Sequence, residues 1–255
     1  MIQGVPWQHA GFSVVRRTTA MIRDVVNAAS CLLVAAPSAL AGRPLQTEDA
    51  GVLEPRSCEV EGATLRTRAA GVTARDSTLA LACGFGLSSQ AGIAISRSQA
   101  SGERARAAEL FGKTRLRQGQ GDETPALTLA WALGMSRTDG AAEGWQQANR
   151  ELNLVYSAPA GPGSVHLNLG HARDQASRLR STTWGAAYEH EGVDAGGVKW
   201  QPMAELFGDD REGAWWNLAL RATVVPDRVF VDLSYGRQFT RERATLVTAG
   251  LKFTF

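Results

Sequence analysis

A helix that crosses a membrane needs about 20 mostly apolar residues in a row, and no run of 18 apolar residues occurs in this chain. Long, capped helical patterns are also missing, which argues against an α-helical fold. Neither sign of charge dominates: 27 Lys and Arg oppose 25 Asp and Glu, a formal net charge of +2 over 255 residues. So small an excess, with no stripe combining cations and stacking aromatics, argues against a nucleic-acid partner. Histidine is scarce at four residues, and no spacing of His, Cys and Asp resembles a zinc or copper site. No metal or cofactor is expected. Cysteine is scarcer still at three, and one of these falls in a segment with a separate fate.

That segment is "MIRDVVNAASCLLVAAPSALA", from Met21 to Ala41. It has a basic start at Arg23, an apolar stretch around Cys31 to Ala36, and Ala39-Leu40-Ala41 as an A-x-A cleavage pattern, the build of a secretory signal peptide. The preceding twenty residues, with Arg16 and Arg17, make the basic region long, and Met21 is a candidate start. A lipoprotein reading through Cys31 fails because the apolar run follows the cysteine. Cleavage after Ala41 leaves 24 basic and 24 acidic residues, a formally neutral chain. Cys58 and Cys83 then remain, in a compartment where thiols oxidise. The expected organisation is a signal peptide over 1–41, a short periplasmic lead over 42–56 placed to tuck into the lumen, and one domain over 57–255.

From about Ser57 onward, apolar and polar residues alternate with period two between clusters of Gly, Asp, Pro, Arg and Ser. Val247, Ala249, Leu251, Phe253 and Phe255 share one face, and Thr248, Gly250, Lys252 and Thr254 the other. Val229, Val231, Leu233 and Tyr235 oppose Asp232, Ser234 and Gly236; Trp216, Leu218, Leu220, Ala222 and Val224 oppose Asn217, Ala219, Arg221 and Thr223. Only strands separate neighbours in this way. Further strands are expected over 58–68, 75–86, 89–98, 106–117, 125–136, 149–158, 164–173, 181–190 and 198–207. The first is the least clear, since Gly62 and Thr64 blur its apolar face. About twelve strands result, each near the length of a tilted membrane strand. Connections are short, such as "GLSSQ" (Gly86–Gln90), "PAGPG" (Pro159–Gly163) and "VPD" (Val225–Asp227), with one longer loop from Arg137 to Asn149. The expected fold class is all-β, a meander of antiparallel hairpins.

A soluble sandwich and a membrane barrel both bury one face of each strand, and three features favour the barrel. Ionisable residues on the apolar faces stand only near strand ends, as at Arg97, His171 and Arg237, where a mid-bilayer cation would cost about 2–4 kcal/mol. A sandwich core shares this feature. If both chain ends are periplasmic, apolar-face aromatics sort into two belts. Phe85, Tyr156, Tyr188, Trp200, Phe253 and Phe255 lie at one rim; Trp184, Trp216 and Tyr235 lie at the other. Such sorting suits the headgroup levels of a bilayer. Trp131, mid-strand, does not conform. Loop lengths follow the same topology in part, although "RQGQGDET" (Arg117–Thr124) makes a long periplasmic turn.

The closing "AGLKFTF" (Ala249–Phe255) resembles the last strand of bacterial outer-membrane β-barrels. That resemblance implies that Leu251, Phe253 and Phe255 form the signal read by the barrel-assembly machinery. "RPLQTEDAGVLEPRSCEVE" (Arg43–Glu61), with "LACGFG" (Leu81–Gly86), is similar to the start of a group of proteobacterial outer-membrane proteins described loosely as transporters. It covers under a tenth of the chain and implies an up-and-down barrel, without naming a substrate.

Strands over 58–68 and 75–86, joined near Gly71, place Cys83 almost opposite Cys58 on one face. A disulfide tying the first hairpin is expected. Glu109, Lys113, Arg115, Glu189, Glu205, Arg221, Asp232 and Lys252 all point inward by parity, a mixed-charge lining suited either to passage of small polar solutes or to a salt-bridged filling. His166 also faces inward, where a hydrogen-bonded role outweighs a metal ligand. An enzyme is not expected. A barrel hydrolase acting on lipid would need a Ser beside a His; His171 with Ser177 or Ser181 are the candidates, without the close grouping that such sites show. An outer-rim protease would need a His that the acids of "EGW" and "DDRE" lack. The expectation is a passive outer-membrane channel in contact with lipid. The alternatives are the lipid hydrolase and a non-conducting structural or adhesive barrel using the 137–149 loop.

Overall fold

The computed structural model describes residues 44–117, 124–140, 144–175, 178–240 and 243–255. The expected signal peptide lies outside the described residues, as does most of the Arg117–Thr124 turn. Thirteen strands follow in chain order: β1 (Cys58–Ala69), β2 (Val72–Gly86), β3 (Ser89–Ala100), β4 (Glu103–Arg117), β5 (Ala126–Thr138), β6 (Gln146–Pro159) and β7 (Gly163–Asp174). They continue with β8 (Arg180–His190), β9 (Val193–Ala195), β10 (Val198–Asp209), β11 (Trp215–Val225), β12 (Val229–Gln238) and β13 (Thr245–Thr254). Each stave pairs antiparallel with the next, and β13 returns to β1, setting Phe253 opposite Val60 and Leu246 opposite Thr67. β9 pairs only with the first residues of β10. The wall is thus a closed barrel of twelve staves, with β9 as a short flap on its rim.

The staves begin and end close to where alternation places them, and they run longer where it fades. β2 starts at Val72 rather than near 75, because Ala70 and Gly71 (φ 48° and 82°) make a two-residue turn that suits a hairpin. Ser101 and Gly102 (φ 50° and 88°) do the same for β3 and β4. The long loop expected from Arg137 to Asn149 is shorter. β5 runs on to Thr138 and β6 starts at Gln146, since a register shift after Leu133 keeps Met135 paired with Gln147.

The barrel is inside out relative to a soluble protein. Leu79, Ile93, Ile95, Leu110, Leu152, Leu169, Leu218 and Leu233 face outward with 46–60% of their surface exposed. Inward positions carry buried alanines, such as Ala80, Ala94, Ala132 and Ala187, among buried Asn217, Asp232 and Thr248. So continuous an exposed apolar band is the surface that hydrocarbon, not water, covers. By alternation every Asp, Glu and Lys borne by the twelve staves faces the lumen.

The aromatic sorting is present. Phe85, Trp200, Phe253 and Phe255 are exposed at the rim bearing Cys58 and Phe255, and Trp216 meets Tyr235 edge-on at 5.7 Å on the opposite rim. Trp131 has a different reason. It stands directly across from Gly112, where an added Cβ would come within 2.8 Å of the indole. A missing side chain on one strand makes room for a large one on the next.

Cys58 and Cys83 are directly opposed and disulfide-bonded, with Cα atoms 4.1 Å apart. The Cys58 N–H donates to the Phe255 carbonyl and the Cys58 carbonyl accepts from the Phe255 N–H. Towards β2 it therefore forms a non-hydrogen-bonded pair, the type in which opposed side chains lie closest. The bridge sits on the outward face, beside the seam where the barrel closes. Two consequences are expected. Alkylation without reduction leaves both thiols unlabelled in purified protein, and labelling of both would refute the bond. Replacing both by Ala lowers the unfolding free energy by about 3 kcal/mol for a loop of this size, read from a urea titration of the folded barrel.

Candidate functional site

Residues 44–57 do not hang below the barrel. Residues 44–53 bend through the lumen, with Leu45, Thr47, Glu48 and Ala50 buried, and Pro55 then bridges Gly84 of β2. Over residues 44–53 the backbone donors and acceptors lie outside the strand ladders, and buried groups of this kind must find partners. The inward side chains of the wall supply them. Glu205 accepts the Gln46 N–H at 2.8 and 2.9 Å, the Thr47 N–H at 2.7 Å and the Asn217 amide at 2.7 Å. Asn168 donates to the Glu48 carbonyl at 3.1 Å, and Thr128 donates to the Ala50 carbonyl at 2.7 Å. Ser157 Oγ accepts the Ala50 N–H at 2.8 Å, and Gln90 accepts the Leu53 N–H at 2.7 Å.

Lys113 holds the middle of the segment. Its Nζ lies 3.1 Å from a Glu48 carboxylate oxygen and donates to the Asp49 carbonyl at 3.2 Å. The Asp49 carboxylate accepts the Gly51 N–H at 2.6 Å. Apolar contacts add to the polar ones. Leu45 packs with Ala187, Met203 and Ala219, Ala50 with Ala130 and Val155, and Leu53 against Ala80, Ala82 and Phe111. Two glycines make room. A Cβ on Gly185 would lie 2.6 Å from Thr47 Oγ1, and one on Gly84 would strike the Leu53 and Glu54 carbonyls.

Two cavities flank the segment. One of about 140 Å³ opens towards the rim opposite Cys58, lined in part by Glu151, Asn153, Asn168, Thr183 and Phe207. The other, of about 220 Å³, lies on the Cys58 side and is lined in part by Glu59, Glu61, Gln90, Lys113 and Lys252.

The eight charged residues expected to face inward all alternate onto the lumen side. Lys113 and Glu205 are committed to the segment. Arg221 and Asp232 are directly opposed and form a two-point pair, Nε to Oδ1 at 2.8 Å and Nη2 to Oδ2 at 3.2 Å. Arg221 and Lys252 also stand over the Phe230 ring, 5.7 and 4.9 Å from its centre, within cation–π reach. Glu109 accepts from Asn149 at 3.1 Å, and Arg115 faces the lumen near the Cys58 rim. Glu189 lies 3.7 Å from His166 Nε2, while His166 Nδ1 meets Ser157 Oγ at 2.8 Å. This Ser–His–Glu chain sits beneath Ala50. The partners Glu48, Ser157, Thr128 and Asn168 were not singled out by pattern, because alternation says which side a residue faces and not what it meets there.

The hydrolase candidates are not brought together. His171 is exposed on the outward face opposite Thr182, whereas Ser181 alternates inward, and Ser177 lies outside the described residues. Among the described residues no group of three His, Cys, Asp or Glu could hold a metal ion.

A closed twelve-stave barrel with an apolar exterior and a charged interior defines a β-barrel protein of the bacterial outer membrane. The chain belongs to the family described as Uncharacterised conserved protein UCP029691, whose model matches residues 29–255. No curated protein matches its sequence significantly. Among solved structures it is similar to the translocator domain of autotransporter NalP from Neisseria meningitidis, at a TM-score of 0.54 and 12% identity, covering 94% of this chain and 98% of that one. It is similar also to the COG4313 outer membrane channel from Pseudomonas putida F1, at 0.53 and 11%, covering 81% and 98%. The KdgM porin in complex with disordered oligogalacturonate matches at 0.52 and 10%, covering 77% and 99%. At such identities the likeness is one of fold.

If Glu205 anchors the segment, Glu205→Ala releases it. Loss of the Gln46 and Thr47 backbone bonds to a carboxylate is worth about 3 kcal/mol. Amide exchange of residues 44–54 is expected to rise about a hundredfold while strand amides stay protected. Unchanged exchange over 44–54 would show that other contacts suffice.

Proposed function

We propose that the protein is a passive outer-membrane channel for small polar solutes, which rests with residues 44–57 occluding its lumen. The observation that carries this reading is the pair of cavities on either side of that segment, the one on the Cys58 side lined by Glu59, Glu61, Gln90, Lys113 and Lys252. A barrel meant only to be filled has no need of them. Solute would enter one cavity, displace the segment from Glu205 and Lys113, and leave through the other, driven by its own gradient. Lining charges of both signs (Glu109, Arg115, Glu189, Arg221, Asp232 and Lys252) favour polar solutes without strong selection by charge. In this reading the Cys58 rim faces the periplasm, and the outward Leu251, Phe253 and Phe255 of β13 contact lipid and are read by the barrel-assembly machinery.

One observation favours a second reading. The segment is held by at least seven polar side chains as well as by apolar contacts, which suits a barrel that is closed for good and serves as a structural element.

Planar-bilayer recording separates the two. Wild-type protein is expected to give rare, brief openings, and Glu205→Ala with Lys113→Met to give sustained unitary currents with a reversal potential near zero in a salt gradient. Silence from both proteins at every voltage would sink the channel and leave the closed barrel.

A further inference from the structure

Arginine is distributed over the outer wall in a way that folding does not explain. All lysines and carboxylates of the twelve staves face inward, yet arginines alternate outward near the rim opposite Cys58. They face one another across strands. Arg66 is opposite Arg75; Arg97 is opposite Arg106, which is opposite Arg137; Arg150 is opposite Arg173, which is opposite Arg180. Like charges directly opposed weaken a sheet, and here five such contacts run round eight consecutive staves, β1 to β8. Among the described residues, an acid offsets part of this. Asp139 lies 3.3 Å from Arg106 and 4.0 Å from Arg137, and Arg150 donates to Gln147 at 2.8 Å.

The height of the belt is as informative as its charge. Arg97 follows Ile93 and Ile95 on the outward face, Arg137 follows Leu133 and Met135, and Arg150 precedes Leu152 and Leu154. The guanidinium groups therefore stand where the apolar band ends, at the level of lipid headgroups. A guanidinium presents a planar fork of donors that meets phosphate oxygens two at a time, which an ammonium does not. Two opposed arginines on neighbouring strands make a cradle for one phosphate.

We propose that this rim is a docking surface for phosphorylated glycolipid headgroups of the outer leaflet, each phosphate seated between opposed arginines of adjacent staves. The placement rests on the orientation in which the Cys58 rim is periplasmic, although binding itself does not. The bound lipid neutralises the cross-strand repulsion, so the belt is stable only in a leaflet that supplies anions. It is independent of whether the lumen conducts.

The test uses the full barrel in detergent, with diphosphoryl lipid A as probe and native mass spectrometry as readout. Wild type is expected to retain the lipid, and enzymatic removal of both phosphates to weaken retention at least tenfold. Arg150→Gln with Arg173→Gln and Arg180→Gln is expected to lower affinity at least tenfold, and the corresponding three Lys substitutions to recover it only in part. Equal retention of the dephosphorylated lipid by wild type would overturn the proposal whether or not the variants fold. So would equal affinity of the Gln variant, or displacement of the lipid by millimolar inorganic phosphate, which would make the site one for free anions.

Discussion

In a hydrocarbon layer no water is available to a stray N–H or carbonyl, and each such group left alone costs several kcal/mol. The pairing of β13 with β1 is the answer to that constraint. It removes the last free edges, so that twelve weakly apolar staves become one wall. Everything else follows from closure. Once the sheet is a cylinder, one set of alternating side chains must face lipid and the other must share an enclosed interior. The seam is also where chemistry reinforces geometry: Cys58 gives its backbone bonds to Phe255 and its sulfur to Cys83, binding three staves at a single point.

The same requirement governs residues 44–57, inside the barrel rather than in its wall. A peptide outside the strand ladders must borrow partners, and the lumen residues Glu205, Lys113, Thr128, Ser157 and Asn168 lend side-chain atoms to its backbone. A charged interior is expensive unless its members are paired. Arg221 with Asp232 and Lys113 with Glu48 meet that condition inside the protein. The mixed signs of the lumen therefore have a structural duty, and their channel duty operates within it. The alanines that dominate the remaining inward positions leave the width that the segment occupies.

The exterior divides into levels. A band of Leu, Ile and Val covers the middle, aromatics stand at the two rims, and opposed arginines are gathered at one of them. Exceptions to this order have local causes. Trp131 sits in the apolar band because Gly112 leaves the adjoining space open. Opposed arginines are a departure of another kind, with Asp139 near Arg106 and Arg137.

Alternation is a property of the strand itself, which is why it was legible without a structure. The period of two announced nearly every stave and the side on which Lys113, Glu205, Arg221 and Asp232 point. The spacing of Cys58 and Cys83 about a tight turn likewise announced their pairing, because a hairpin's register is local. What meets what across the lumen was not legible. Glu48 and Lys113, 65 residues apart in the chain, come together only because the sheet closes and the preceding segment turns inward. The ring of arginines was hidden for the same reason: Arg97 and Arg237 could be seen at strand ends, but only register sets Arg97 against Arg106 and Arg150 against Arg173. Sequence by itself determined faces, since those depend on residues two apart; tertiary structure decided neighbours, since those depend on how a closed cylinder aligns staves that are distant along the chain.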